Sequence, residues 1–123
     1  MYNFEKLQVW QEAMDLVEII YQLTNKLPSR EKFSLIDQIR RSSASVALNI
    51  AEGSGDKTKK DFINFCRNAL KSLYETITAP KIIERIYKTG VIKELNKCDQ
   101  VSKILHGLIK YLDHGNQKPT TKN

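Results

Sequence analysis

The chain has 123 residues, of which 41% are hydrophobic and 28% charged, and its formal net charge is +6. This length fits one domain with a real core, the composition favours a globular protein over a disordered one, and the low glycine and proline content indicates few, short connections. No stretch approaches the roughly 18 uncharged apolar residues of a membrane span, and MYNFEKLQVW has no export-signal pattern, so we expect a cytoplasmic protein without a membrane partner.

The first predicted helix runs from about Glu5 to Lys26 and carries two apolar stripes. The first stripe has the spacing of one helix face and consists of Leu7, Trp10, Met14, Val17 and Tyr21. The second lies beside it and consists of Val9, Ala13, Leu16, Ile20, Leu23 and Leu27. Because a bundle helix normally buries one face, we expect another surface to cover the second stripe.

A second helix is predicted after Pro28-Ser29 and extends to about Glu52. Its inner face consists of Leu35, Ile36, Ile39, Ser43, Val46, Ala47 and Ile50. Leu48 points nearly the opposite way, where a single bundle should be polar. Together with the second stripe of the first helix, this indicates a homo-oligomer interface formed by Val9, Leu16, Ile20, Leu23, Ala44, Leu48 and Glu52.

The third helix is predicted to begin near Lys59. The segment Gly53 to Asp56 is expected to end the second helix with residues that tolerate positive φ, and Thr58 to Asp61 resembles a capping box. Proline lacks an amide, so we expect a kink or short break between Thr76 and Pro80. The apolar face consists of Phe62, Phe65, Cys66, Ala69, Leu70, Leu73 and Ile77, and helix is expected up to about Lys88.

The fourth helix is predicted to follow a stop at Thr89-Gly90 and to end near Leu112. The four segments predict an all-α, up-down-up-down antiparallel four-helix bundle over residues 1–113, followed by a flexible tail at 114–123. Cys66 and Cys98 are expected to be buried free thiols. The apolar face of the fourth helix consists of Val91, Leu95, Cys98, Val101, Leu105, Leu108 and Leu112.

The residues that bear chemistry do not form a catalytic pattern. His106 and His114 have no cysteine or acid pair at ligand spacing, and the chain has no Glu-x-x-His motif or glycine-rich phosphate loop. We therefore predict a protein that is not an enzyme, with no catalytic residues, metal or cofactor.

Positive charge is concentrated in the middle of the sequence. Residues 1–25 contain four acids and one base, whereas residues 26–71 contain ten bases and five acids. A basic surface attracts phosphate, and such a patch would hold a nucleic-acid backbone through salt-sensitive contacts without reading bases. The candidate nucleic-acid-binding residues are Arg40, Arg41, Lys57, Lys59, Lys60, Arg67 and Lys71.

Other interpretations of the basic residues remain open at this point. The lysines of the third helix can form a solvated face paired with Asp61 and Glu75. Arg40 and Arg41 can instead fix a subunit interface through charge-assisted hydrogen bonds to acids such as Glu52. No aromatic residue interleaves with the predicted patch, so base stacking is not expected.

Three segments carry a family resemblance: FEKLQVWQEAMDLVEIIYQLT at 4–24, LPSREKFSLIDQIRRSSASVALNIAEGSG at 27–55 and DFINFCRNALKSLYE at 61–75. They resemble the proteins encoded by intervening sequences within bacterial 23S ribosomal RNA genes, a family often labelled as a ribosomal protein. The resemblance covers about residues 4–112. It implies an up-down bundle that assembles into a ring-like homopentamer, and it extends to the accessory protein of diversity-generating retroelements, a basic pentamer that binds nucleic acid and a reverse transcriptase.

The chain departs from the family pattern at two places on the third helix. Lys71 stands where the family usually has glycine, and residues 76–80 replace a leucine-rich run. The leading hypothesis is a non-enzymatic homo-oligomer, pentameric by resemblance, that binds RNA or DNA through phosphates. The alternative is a protein-interaction scaffold whose basic face docks an acidic protein partner.

Overall fold

The regular structure of the protein is helical. The computed structural model describes residues 2–55 and 58–114, and these two stretches contain no strand. Short 3-10 helices at Asn3–Lys6 and Ser29–Glu31 precede the first two α-helices. The α-helices are α1 (Gln8–Thr24), α2 (Leu35–Gly53), α3 (Lys59–Tyr87) and α4 (Ile92–Asp113). The predicted all-α class is confirmed, and residues 115–123 of the predicted tail lie outside the described part.

Each helix packs against two neighbours, as in a four-helix bundle. α1 and α3 each contact α2 and α4. Two buried or half-buried hydroxyl pairs connect α2 with α3: Ser42 Oγ lies 2.9 Å from Thr76 Oγ1, and Ser72 Oγ donates to Ser45 Oγ at 2.8 Å. Residue numbers rise along α2 as they fall along α3, so this pair is antiparallel, which agrees with the predicted up-down order.

The core uses the second predicted stripe of the first helix. Val9, Leu16, Ile20 and Leu23 are at most 3% exposed and pack within the single chain. Their predicted role in a subunit interface is therefore wrong, because side chains enclosed by their own chain offer no surface to a second copy. Adjacent stripes on one helix have the same periodicity, so spacing alone did not show which stripe faces inward.

Gly53 is the last residue of α2. In the described part of the chain no glycine has a positive φ, so the expected use of Gly53 and Gly55 as left-handed residues is wrong. A Cβ atom on Gly53 would lie 2.5 Å from the Phe65 Cβ and 3.0 Å from the Phe62 Cδ1. The absence of a side chain at Gly53 therefore permits α2 and α3 to approach closely.

α3 starts as the sequence predicts and continues through the expected break. The Thr58 hydroxyl accepts a hydrogen bond from the Asp61 amide at 3.1 Å, which caps the helix. The helix then runs without interruption past Pro80 to Tyr87, so no short break occurs. Its C-cap is Lys88, which has the left-handed conformation at φ 56° and ψ 34°, two residues before the glycine of the predicted stop.

α4 closes the bundle against α1 and α3. The Lys97 ammonium group pairs with the Glu12 carboxylate and lies 3.6 Å from that of Asp15, which joins α4 to α1. Cys66 and Cys98 are buried free thiols, as predicted. None of the helices, over the residues described, is both long and apolar enough to cross a membrane.

Candidate nucleic-acid interface

Three predicted cations and one asparagine occupy one exposed face of α3. Lys60, Asn64, Arg67 and Lys71 are all exposed and follow one another at intervals of four, three and four. They face outward because the opposite side of α3 is buried in the core through Cys66, Ala69, Leu70, Leu73, Thr76, Ala79 and Ile83. The structure therefore brings three of the predicted cations, Lys60, Arg67 and Lys71, into one line.

The cations of this line have no acidic partner among the described residues. Over residues 2–55 and 58–114, no carboxylate forms an ion pair with Lys60, Arg67 or Lys71. Pairing with Asp61 and Glu75, the alternative from the sequence, is thus not seen. Unpaired surface cations remain available to a ligand with negative charge.

The line extends well beyond the predicted residues. Tyr74, Thr78, Lys81 and Arg85 continue it at intervals of three, four, three and four, and all four side chains are exposed. We call the whole set the α3 stripe: Lys60, Asn64, Arg67, Lys71, Tyr74, Thr78, Lys81 and Arg85. At 1.5 Å per residue the stripe is about 37 Å long. The expected break at Pro80 hid its second half, which the helical period alone would have revealed.

A groove between α2 and α3 opens beside the middle of the stripe. Its volume is about 290 Å³, and its walls carry Gln38 from α2 and Lys71, Tyr74 and Glu75 from α3. Further along α3, a groove of about 260 Å³ is lined by Thr78, Lys81, Ile82, Arg85 and Ile86. Both concavities combine apolar surface with cations of the stripe.

Arg40 fastens α2 to the C-terminal end of α1. Its Nε donates to Thr24 Oγ1 at 2.8 Å, its Nη2 donates to Asn25 Oδ1 at 2.8 Å, and the guanidinium lies 4.2 Å from the centre of the Tyr21 ring. Thr24 Oγ1 in turn donates to the Ile20 carbonyl oxygen at 2.9 Å. These contacts give Arg40 a structural role within the single chain.

Arg41, next to it, is largely free in solvent. Its side chain is 80% exposed, and its Nε lies 3.8 Å from the Asp37 carboxylate. Both arginines line a groove between α1 and α2 that is separate from the groove at Lys71. The structure therefore does not merge the two predicted sets of basic residues into one groove.

The remaining candidates are placed as follows. Lys59 is exposed at the first residue of α3, and Lys57 lies outside the described residues. On the predicted interface, Leu48 is 67% exposed and Glu52 is exposed, whereas Ala44 is partly buried. Whether a second copy of the chain contacts this surface stays a prediction.

The described residues contain no candidate metal centre. Residues 2–55 and 58–114 contain no group of three or more His, Cys, Asp or Glu side chains that could hold a metal ion. His106 and His114 are both exposed near the end of α4.

Comparisons with known proteins agree with the helical fold. The model of a family described as 23S rRNA-intervening sequence protein matches residues 5–107. A crystal structure from Bacteroides thetaiotaomicron, of a protein with unknown function from the S23 ribosomal protein family, superposes with a TM-score of 0.74 at 26% sequence identity. The superposition covers 83% of this chain and 98% of that one. Among curated proteins, none matches.

Proposed function

Since the chain belongs to the 23S rRNA-intervening sequence protein family, we propose that it is a non-enzymatic protein that binds RNA or DNA. The phosphate backbone lies along the α3 stripe. The observation that carries this proposal is the row of exposed cations on α3, of which Lys60, Arg67 and Lys71 pair with no acid in the described chain. The family description, which refers to ribosomal RNA, is compatible with such a ligand.

The stripe suits a phosphate backbone because its charges are spread along a straight helix. Five of its side chains are cationic, and they are distributed over both halves of α3. Each phosphate that they neutralise releases counterions, so log K falls by about 0.7 to 0.9 per contact for each tenfold rise in salt. Five contacts therefore predict a slope of roughly −4.

We also propose that the protein acts as a homo-oligomer, a pentamer by family resemblance. Leu48 and Phe33 are large apolar side chains that stand exposed near α1 and α2, on the side where Ala44 and Glu52 were predicted to meet a second copy. Burial of such side chains favours association. A ring would repeat the α3 stripe in every subunit and strengthen binding through multivalency.

A salt titration of binding tests the nucleic-acid proposal. Fluorescence anisotropy with a labelled RNA should show tight binding at low salt and the steep slope given above. The triple variant Lys60→Gln, Arg67→Gln, Lys71→Gln should lose at least tenfold in affinity and flatten the slope by about 2. The matched control replaces three exposed lysines of α4 by glutamine, namely Lys93, Lys103 and Lys110.

Three outcomes would overturn the nucleic-acid proposal. The first is binding of neither RNA nor DNA at any salt concentration, and the second is an equal loss of affinity in both triple variants. The third is that the protein binds poly-glutamate as tightly as RNA and loses this binding in the stripe variant, which would support an acidic protein partner instead. Light scattering gives the mass of the assembly, and a monomer at working concentration would overturn the oligomer.

A further inference from the structure

Tyr74 lies in the middle of the α3 stripe. It is 51% exposed and follows Lys71 on the same face of α3. Over the residues that the structure describes, its hydroxyl group forms no hydrogen bond and its ring packs against no other ring. A large exposed aromatic ring beside unpaired cations is the combination that proteins use to bind single-stranded nucleic acid.

The groove beside Tyr74 offers a site for a flat, partly polar ring. Leu35, Ala79 and Ile82 contribute apolar surface to its walls, and the volume of about 290 Å³ exceeds that of a single nucleobase. Gln38 and Glu75 stand at its edge with side-chain atoms that form no hydrogen bond in the described chain. An amide and a carboxylate are groups that accept hydrogen bonds from base edges.

The two charged side chains of the groove favour different parts of a nucleotide. The Lys71 ammonium group attracts a phosphate, whereas the Glu75 carboxylate repels one and accepts from the amino group of a base. We propose that this groove takes an unpaired nucleobase that stacks on Tyr74, while Lys71 holds the adjoining phosphate. This inference rests on the proposed function and makes its ligand a single strand or an unpaired loop.

A base-paired duplex does not fit this site. The bases of a duplex are stacked on one another and hydrogen-bonded, so neither their faces nor their pairing edges can enter a groove beside a tyrosine. The second groove along α3 has no aromatic ring, but it places the apolar side chains of Ile82 and Ile86 beside the cations Lys81 and Arg85. Cations that continue along α3 beyond the Tyr74 groove favour an extended single strand over an isolated nucleotide.

The test compares a 12-nucleotide RNA without self-complementarity with the blunt duplex that it forms with its complement. The single strand should bind at least tenfold more tightly at equal salt concentration. Tyr74→Ala should weaken single-strand binding by about 5- to 100-fold and leave duplex binding unchanged, whereas Tyr74→Phe should keep both affinities. Tyr111→Ala, at another exposed tyrosine, is the control and should change neither.

A direct readout of stacking is the fluorescence of 2-aminopurine placed within the single strand. The wild-type protein should quench it, and Tyr74→Ala should restore it. Equal affinity for strand and duplex, with no effect of Tyr74→Ala, would overturn the inference and leave the proposed function intact. A fall in oligomer mass in Tyr74→Ala, without a loss of single-strand affinity, would assign the groove to a second copy and also overturn the inference. Failure of both RNAs, and of the DNA strand and duplex of the same sequence, to bind would overturn the proposed function with it.

Discussion

The Sγ atom of Cys98 on α4 lies 4.0 Å from the carbonyl oxygen of Thr76 on α3. In a regular α-helix this carbonyl oxygen would accept a hydrogen bond from the backbone N–H of residue 80. Residue 80 is proline and has no N–H, so this hydrogen bond cannot form. The thiol therefore stands where α3 has lost a helical hydrogen bond, and it is a weak donor. This contact explains in part how a continuous helix tolerates Pro80 in the bundle.

The two buried thiols should make the free energy of unfolding depend on pH. Burial raises the pKa of Cys66 to about 11, and burial together with the charge of Glu94 raises that of Cys98 to about 12, from 9.0. Above pH 9 the unfolded chain loses these protons while the native state keeps them. The free energy of unfolding should therefore be insensitive to the thiols below pH 9 and fall above it, on the order of 1.4 kcal/mol per pH unit for each thiol.

Urea unfolding between pH 7 and 10.5 measures this fall. The double variant Cys66→Ala, Cys98→Ala should show a shallower decline, because its lysines and tyrosines titrate as before while the thiols are gone. An identical slope in the double variant and the wild type would contradict the prediction.

Gly53→Ala should destabilise the protein by about 1–3 kcal/mol, because its Cβ would overlap the Cβ of Phe65 and force α2 and α3 apart. Gly55→Ala is the matched control. The added Cβ at that position meets nothing nearer than the Glu52 carbonyl oxygen at 3.5 Å, which is ordinary contact. Thermal or urea unfolding should show a change within about 0.5 kcal/mol for the control, and equal losses would argue against a steric role for Gly53.

Lys88→Gly should stabilise the protein by up to about 1 kcal/mol. Lys88 holds the left-handed conformation that ends α3, and glycine adopts it without the strain of a Cβ atom. Lys88→Ala removes the same side chain but keeps the Cβ, so it should stay close to the wild type. Loss of stability in the glycine variant, measured by thermal unfolding, would count against this assignment.

The neighbouring arginines of α2 should respond differently to the same change. Arg40→Lys breaks the two-point hydrogen bonding to Thr24 and Asn25 and should cost about 2 kcal/mol of folding stability. Arg41→Lys, at an exposed side chain with a long ion pair, should change stability by less than 0.5 kcal/mol. Chemical denaturation of the two variants in parallel is the measurement, and similar losses would refute the distinction.

The sequence predicted the helices well because each has a strong apolar period and a recognisable boundary. Thr58 marks the start of α3 through local chemistry, as the sequence predicted. After Pro28 only the short 3-10 helix Ser29–Glu31 forms, and α2 begins later than predicted, at Leu35. The face of α1 was misassigned, since Met14 and Leu16 lie on neighbouring stripes of similar apolarity. Only the positions of α2 and α4 decide which stripe becomes core, and that is tertiary information.

Part of the candidate site could also be predicted from the sequence. Lys60, Arg67 and Lys71 share a face by spacing alone, and all three are exposed in the structure. The role of Arg40 was not predictable, because its partners on α1 lie 15 and 16 residues away and meet it only through the turn between the helices. Tyr74 was missed because the predicted basic residues stop at Lys71, three residues before the tyrosine that continues the same face of the helix.

The hydroxyl pairs between α2 and α3 have a consequence for the groove at Tyr74. Sliding α3 by one turn, about 5.4 Å, would separate Ser42 from Thr76 and Ser45 from Ser72 and remove both hydrogen bonds between the helices, at about 0.5–1.5 kcal/mol each. An apolar seam would tolerate such a slip far better. The serines thus lock the registry of the two helices, and Gln38 and Tyr74 face the same groove in that registry alone.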